Sequence, residues 1–318
     1  MKPGFLIVDG NHVGYWHQNT RKLTAGGRET QAIFGFILTL RKLRLTYPQY
    51  AMTVLWDGHP QFRYDQYPGY KAKRDATPQM AEMREKYREA RPLIQRGLRL
   101  LGVRQMECAT HEADDLAYSV RNVSSQAQRH SILITGDQDW LQLVDEHTDW
   151  MNLDERKVTI NNFHKETGYA TPKAFVEGKC LVGDAGDTIG GVGRIGKESA
   201  PILLAQYGSV ANLIKAVRDG TFDPEPLKIV RGLAGSAERF AKNEKDGLNI
   251  FKRNRLLMDL SKAPPPTKII TDPGTPSVDE FEQFCDELAF ETILLNLPEF
   301  LSAFPAFKNL ENVIRTTT

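Results

Sequence analysis

Short apolar runs alternate with longer amphipathic stretches through the first half of this chain. Phe5 to Val8, Met52 to Trp56, Val103 to Glu107 and Ile132 to Ile134 are short and bounded by turn formers or charge, the pattern of buried strands. Between them, Gln31 to Leu45 sets Ile33, Phe34, Ile37, Leu38, Leu40 and Leu45 at helical spacing. Residues 79–101 form a long charged helical stretch ending near Gly102, and Ala113 to Val123 reads as another helix. The segment after Val8 reads as a loop that includes Gly26-Gly27. Such alternation, continuing to about residue 160, predicts an α/β fold with a mostly parallel central sheet and helices on both faces.

From about Pro172 the pattern becomes helical with Gly-rich turns. Gly183 to Gly196 holds six glycines, and Ala200 to Ala205, Val210 to Val217 and Asn249 to Leu260 read as helices. Pro264-Pro265-Pro266 is a rigid break. Beyond it Phe281, Phe284, Cys285 and Leu288 fall at i, i+3, i+4 and i+7, predicting an amphipathic helix that packs back on the core. Three regions are expected: an α/β core over 1–171, a helical subdomain over 172–262 and a C-terminal extension over 263–318.

Carboxylates punctuate this pattern at five places: Asp9; Asp57; Glu112 with Asp114 and Asp115; Asp137 with Asp139; and Asp184 with Asp187. Three of the five follow predicted strands. In an open α/β sheet, groups at the carboxyl ends of neighbouring strands converge on one crevice. An Asp after a strand commonly serves as a turn former or helix N-cap, and in His111-Glu-Ala-Asp-Asp-Leu116 the N-cap could be Thr110. Turn chemistry does not demand a carboxylate five times over. Gathered together, the nine acids would repel one another unless a strong positive charge stood among them. No cluster of Lys, His or Cys accompanies them at ligand spacing, so an oxygen-seeking divalent cation, magnesium or manganese, fits best.

The 318 residues suffice for two domains, and the net charge of +1 argues at first against a polyanionic partner. The charge is segregated, however. Residues 62–100 carry ten Lys/Arg against five acids, Asp75 among them, and residues 190–255 carry twelve against seven. A basic segment beside an acidic cluster suits phosphodiester chemistry. Three cysteines without CxxC spacing predict reduced thiols. With no signal peptide and no apolar run of spanning length, a cytoplasmic protein without a membrane partner is expected.

Two further segments carry chemistry. Gly191-Val-Gly-Arg-Ile-Gly-Lys197 satisfies GxGxxG but follows no strand, and Glu198 stands where a P-loop needs Ser or Thr. It reads as a hairpin between helices, where Gly191, Gly193 and Gly196 expose backbone N–H groups to a DNA phosphate, with Arg194 and Lys197 adding charge. Tyr67-Pro-Gly-Tyr-Lys-Ala-Lys-Arg74 joins aromatics to cations: Tyr70 is placed to stack on an unpaired base, with Lys71, Lys73 and Arg74 on phosphates.

Together these segments closely resemble the 5′-nuclease family of phage flap endonucleases, 5′–3′ exonucleases and the 5′-nuclease domain of bacterial DNA polymerase I. The match runs from Phe5 to about Leu295, and its most specific pieces are Glu112-Ala-Asp-Asp, Thr135-Gly-Asp-Gln-Asp-Trp-Leu-Gln-Leu143 and residues 182–197. The resemblance implies one metal site at Asp9, Asp57, Glu112, Asp114 and Asp115, and a second at Asp137, Asp139, Asp184 and Asp187. It implies a helical arch over about 62–100 that passes the free 5′ strand, with Lys71 and Arg74 at its base as catalytic cations. It also implies a helix–three-turn–helix whose hairpin at 191–197 grips duplex DNA with a potassium ion. The expected activity is magnesium-dependent, structure-specific cleavage of DNA with a 5′ flap or 5′ end, including RNA–DNA primer junctions, by a monomer in a bacterial or phage-infected cell during replication and repair. Manganese would substitute. Ala185-Gly186 and Glu198 depart from the family pattern without vacating an acid position. A PIN-like endoribonuclease and an inactive DNA-binding homologue are the alternatives; the Gly-rich hairpin counts against the first and the retained acids against the second.

Overall fold

The computed structural model describes residues 4–74 and 77–308. Asp75 and residues 309–318 of the expected C-terminal extension lie outside the described residues. Strands β1 (Phe5–Asp9), β2 (Thr24–Ala25), β3 (Arg28–Glu29), β4 (Ala51–Trp56), β5 (Arg104–Glu107), β6 (Ser131–Ile134), β7 (Thr148–Met151), β8 (Lys157–Val158) and β9 (Ile270–Asp272) follow in chain order. Among the described residues, seven of them form one sheet in the order β8-β7-β6-β1-β4-β5-β9. β7, β6, β1, β4 and β5 run parallel, and β8 and β9 close the two edges antiparallel. The short β2–β3 pair turns through Gly26-Gly27, both at positive φ, where glycine carries no Cβ penalty.

The central strands are apolar on both faces because both faces are covered. Leu6, Val8, Val54, Ile132 and Ile134 enter one core; Ile7, Leu55 and Leu133 enter the other. Helices α1 (Gly10–Gln18), α2 (Gln31–Thr46) and α4 (Pro78–Leu100) cover the first face, with the short α3 (Gln61–Gln66) before α4. α5 (Ala113–Gln126) covers the second. That second core continues past α6 (Phe163–Thr167) into a helical group: α7 (Pro172–Val182), α8 (Ser199–Tyr207), α9 (Val210–Arg218), α10 (Leu233–Ala241) and α11 (Gly247–Met258). The chain then returns through β9 to α12 (Val278–Glu287), α13 (Glu291–Leu294) and α14 (Leu297–Ser302), which pack on the first core.

α1 departs from the loop expected after Val8. Two glycines disguise this helix in the sequence, and they are there for close approach: a Cβ on Gly10 would lie 2.5 Å from the Trp56 ring, and one on Gly14 2.3 Å from the Tyr87 ring. α7, β7, β8 and β9 were also not legible as elements. β9 is short, follows the triple proline and gains its order by pairing with β5.

Phe284 is fully buried at the seam between α12 and α4, and a Cβ on Gly97 would sit 2.9 Å from its ring. Phe284→Ala should therefore cost about 3–5 kcal/mol in chemical denaturation. A loss no larger than that of a surface change, about 0.5 kcal/mol, would mean that α12 is not part of the core.

Candidate active site

Chain order reverses at β1, with β4 and β5 to one side and β6 and β7 to the other. The loops leaving β1, β4 and β6 therefore meet at the carboxyl end of the sheet. Helix capping then fixes the acids. Asp9 ends β1 and caps α1, accepting from His12 N at 2.9 Å and from Thr135 Oγ1 at 2.8 Å. Asp57 follows β4; one oxygen accepts from Ala113 N, 2.8 Å away at the start of α5, and the other from Asn11 Nδ2. Glu112 caps α5, with Asp115 closing a capping box; Thr110 instead hydrogen-bonds His111. Asp137 caps the 3-10 turn over Gln138–Leu143 and accepts from Asp139 N at 2.8 Å. The capping role and the site role fall on the same side chains: the caps are what aim the acids.

Asp9, Asp57, Glu112, Asp114 and Asp137 line one cleft of about 380 Å³ with Asn11, His12, Lys71 and Arg74. Asp137 also lines a second hollow of about 630 Å³ with Asp139, Asp184, Lys179 and Lys197. Asp187 stands between the groups, 3.7 Å from Lys71 and 3.5 Å from Arg74. Asp115 is turned away from both hollows. Its two oxygens accept from the buried Arg63 at 2.7 and 2.6 Å, and Arg63 Nε donates to Leu257 O of α11 at 3.0 Å. Arg63 also lies 3.2 Å from Glu112.

Several expectations are corrected here. Tyr70 does not offer its ring to a base: it is 3 % exposed, and its hydroxyl donates to Glu112 at 2.8 Å. A phenol one bond from the buried carboxylate is more useful as a donor than as a surface platform. Arg63, counted with the basic segment, neutralises buried acids instead, while Arg96 and Arg99 pair with Glu287 and Asp272 of the C-terminal segment. Lys73 is exposed beside Thr188. Over 191–197, Val192 and Ile195 plug the core while Gly191, Gly193, Arg194, Gly196 and Lys197 stay exposed. The Gly196 N–H, however, is already donated to Ser199 Oγ at 2.8 Å. Gly191 is needed for space, since a Cβ there would lie 2.1 Å from Val182 O.

The sequence reading missed one of the cations that hold these acids. Lys179, in the last turn of α7, reaches Asp139 and sits 3.3 Å from Asp184. Lys71 contacts Glu112 directly. As the side chains stand, no group of three acids, histidines or cysteines among the described residues could hold one metal ion. The lysines occupy that electrostatic role. The donor set still fits a hard divalent cation, because it is made of oxygens alone and is short of positive charge. Burial, then Asp57, lifts Asp9 to about 7; burial, then Glu112, lifts Asp57; burial, then Asp137, lifts Asp114 well above the carboxylate range. Burial also raises Asp137 and Asp187. Glu112 goes the other way: burial opposes its ionisation, but Lys71 and Arg63 outweigh it.

Comparison with known proteins identifies the family and the fold. Residues 4–171 match the family described as 5′-3′ exonuclease, N-terminal resolvase-like domain. The thermostable DNA polymerase I of Thermus filiformis is 34% identical over 212 residues, 66% of this chain and 24% of that protein. The DNA polymerase I of Lactococcus lactis subsp. lactis is 27% identical over 311 residues, 91% of this chain and 32% of that protein. The chain thus spans a quarter to a third of the length of these relatives. Among solved structures, T5 5′-exonuclease with bound divalent zinc superposes with a TM-score of 0.66 at 22% identity, covering 90% of this chain and 98% of that one. The T5 D15 protein co-crystallised with metal ions gives 0.64 at 19%, covering 96% and 99%. At such identities these two likenesses establish the fold.

The raised pKa of Asp9 sets a pH dependence of stability in chelator. Its folded value of about 7 lies above the ordinary Asp value of 3.8, so the ionised form is penalised by folding. The penalty is absent below about pH 4, grows between there and pH 7, and is complete above. Asp9→Asn should therefore melt roughly 2–4 °C above the parent at pH 8, and the gap should close on acidification toward pH 4. A variant that melts lower at pH 8 would show that the Asp9 charge is compensated.

Proposed function

The chain belongs to the 5′-3′ exonuclease family with a resolvase-like N-terminal domain, and from that premise we propose that it is a structure-specific 5′ nuclease acting on DNA. The observation that carries the reading is the convergence of acids from three strand ends beneath an overhanging, partly basic helix. Residues 78–83 of α4 are exposed, and Met80, Met83 and Arg84 form one wall of the acid cleft. Such a cover suits a single strand passing between α4 and the Lys71–Arg74 loop.

Asp9, Asp57, Glu112 and Asp114 would hold one magnesium ion and Asp137, Asp139, Asp184 and Asp187 a second, with manganese as a substitute. Bound there, the ions supply an activated water and charge to offset the leaving oxygen, the products being a 5′-phosphate and a 3′-hydroxyl. Asp115 contributes from behind, by holding Arg63 against the cluster. Lys71 and Arg74 rest on Glu112 and Asp187 at the mouth of the cleft, placed to turn toward a phosphate and stabilise its developing charge. Beside them, exposed Lys73 adds attraction for the backbone. The second hollow leads from Asp137 to Lys197, so duplex would lie along it, gripped by Gly191, Gly193, Arg194 and Lys197 with a potassium ion at the turn. The substrate is DNA with a 5′ flap or 5′ end, RNA–DNA primer junctions included, and the role is primer or flap removal in replication and repair by a monomeric cytoplasmic enzyme. Among the described residues, no helix is long and apolar enough to cross a membrane.

The decisive assay compares an open 5′ flap, a flap blocked by a bulky group at its 5′ end, and a plain single strand at one magnesium concentration. The open flap should be cut near the junction, the blocked flap slowly, and the single strand poorly. Similar rates and positions on all three would leave an unspecific nuclease as the better reading. Asp137→Asn should abolish cleavage while retaining DNA binding, because it removes negative charge facing phosphate.

The two basic regions should separate kinetically. Lys197→Ala is expected to weaken duplex binding alike for all sequences and to lower the salt slope by about one. Lys71→Ala should lower turnover by about two orders of magnitude, the cost of a lost transition-state donor. Were Lys71→Ala to weaken binding and leave turnover intact, that lysine would be a phosphate anchor only.

A further inference from the structure

Trp140 is fully buried, in the core formed by α5 and α7, and reads at first as packing. Its indole Nε1 donates to Asp114 Oδ1 at 2.6 Å. Buried indoles need an acceptor, and a backbone carbonyl serves the purpose. Trp150 does this, donating to Asp137 O at 3.0 Å. Trp140 instead selects a carboxylate that lines the acid cleft. It also follows directly on Asp137-Gln138-Asp139 within one 3-10 turn. A single rigid ring therefore joins the acids of α5 to the acids after β6, and the second indole anchors the same turn from its backbone.

We propose that Trp140 is a positioning residue for Asp114, fixing one carboxylate oxygen so that Asp114 meets a divalent cation through the other. The inference rests on the reading of Asp114 as a metal ligand. Asp114 lies among Asp137, Glu112, Asp57 and Asp9, all of which repel it. Left to itself the side chain would rotate away from them when ionised. An indole fixed by packing opposes that rotation, and because it neither gains nor loses a proton near neutral pH, the restraint holds in each ionisation state of the cluster. Donors of this kind to a liganding group characteristically affect metal affinity by 10–100-fold. Phenylalanine in the same place would fill the core and supply none of it.

The test uses the full chain without DNA. Manganese binding is measured by calorimetry for the parent, Trp140→Phe and Asp114→Asn, and indole N–H signals are followed in a two-dimensional nitrogen–proton spectrum during magnesium addition. Trp140→Phe should bind manganese about tenfold more weakly, with DNA binding in chelator unchanged, and the indole signal missing from its spectrum should be one that moves in the parent. Parent-like manganese affinity in Trp140→Phe beside a weakened Asp114→Asn would reduce Trp140 to packing and overturn the proposal alone. Unchanged affinity in both variants would remove Asp114 from the metal site, and with it the reading on which the proposal stands. Should Trp140→Phe not fold, the parent spectrum decides: the chain has four tryptophans, and if none of their indole signals moves with magnesium, or if the moving signal still moves in Asp114→Asn, the proposal is wrong.

Discussion

Mutual repulsion among buried carboxylates is the constraint around which this structure is arranged. Five acids share one cleft at the end of a parallel sheet, and burial alone pushes most of them toward the protonated form. A cluster of this kind survives only with positive charge drawn from elsewhere in the chain. Arg63 comes from α3, Lys71 from the loop before α4 and Lys179 from α7, so three separate segments are bound to the same electrostatic need. Arg63 extends the bond further, since its Nε holds the end of α11. The helical group from α7 to α11 is thereby tied to the acids by charge as well as by the continuous apolar core.

The geometry of the site follows from ordinary helix ends. Asp9, Glu112 and Asp137 each cap a helical segment, and the cap bonds orient the carboxylates toward the strand ends. Asp9, Glu112 and Asp137 themselves keep ordinary extended backbone, whereas Lys71 and Thr188 beside the acids sit at positive φ. What the site does require is close approach: Gly10 and Gly14 let α1 settle against Trp56 and Tyr87, bringing Asn11 to Asp57. The proposed metal binding and the observed capping would thus be two uses of one arrangement, and a cation would replace lysine contacts rather than demand a new fold.

The central sheet strands, the main helices α2, α4 and α5, and the acids at the carboxyl ends of the strands were legible because they are local properties. Apolar runs bounded by turn formers mark buried strands, helical spacing marks α2, and an acid following a strand in a parallel sheet must lie at the crevice. The chain by itself therefore determined the α/β architecture and the oxygen-donor chemistry of its centre. It did not determine which acids face the cleft. Asp114 and Asp115 are adjacent, yet one lines the cleft and the other closes on Arg63, a residue 52 positions away. Tyr70 read as a base-stacking ring and Arg63 was only counted in the basic segment, yet both proved to be internal partners of Glu112 and Asp115. Lys179, α1 and β9 were silent for the same reason. Which buried charge meets which counter-charge, and where a glycine serves contact rather than a turn, depend on residues distant in sequence, and only the folded chain brings those together.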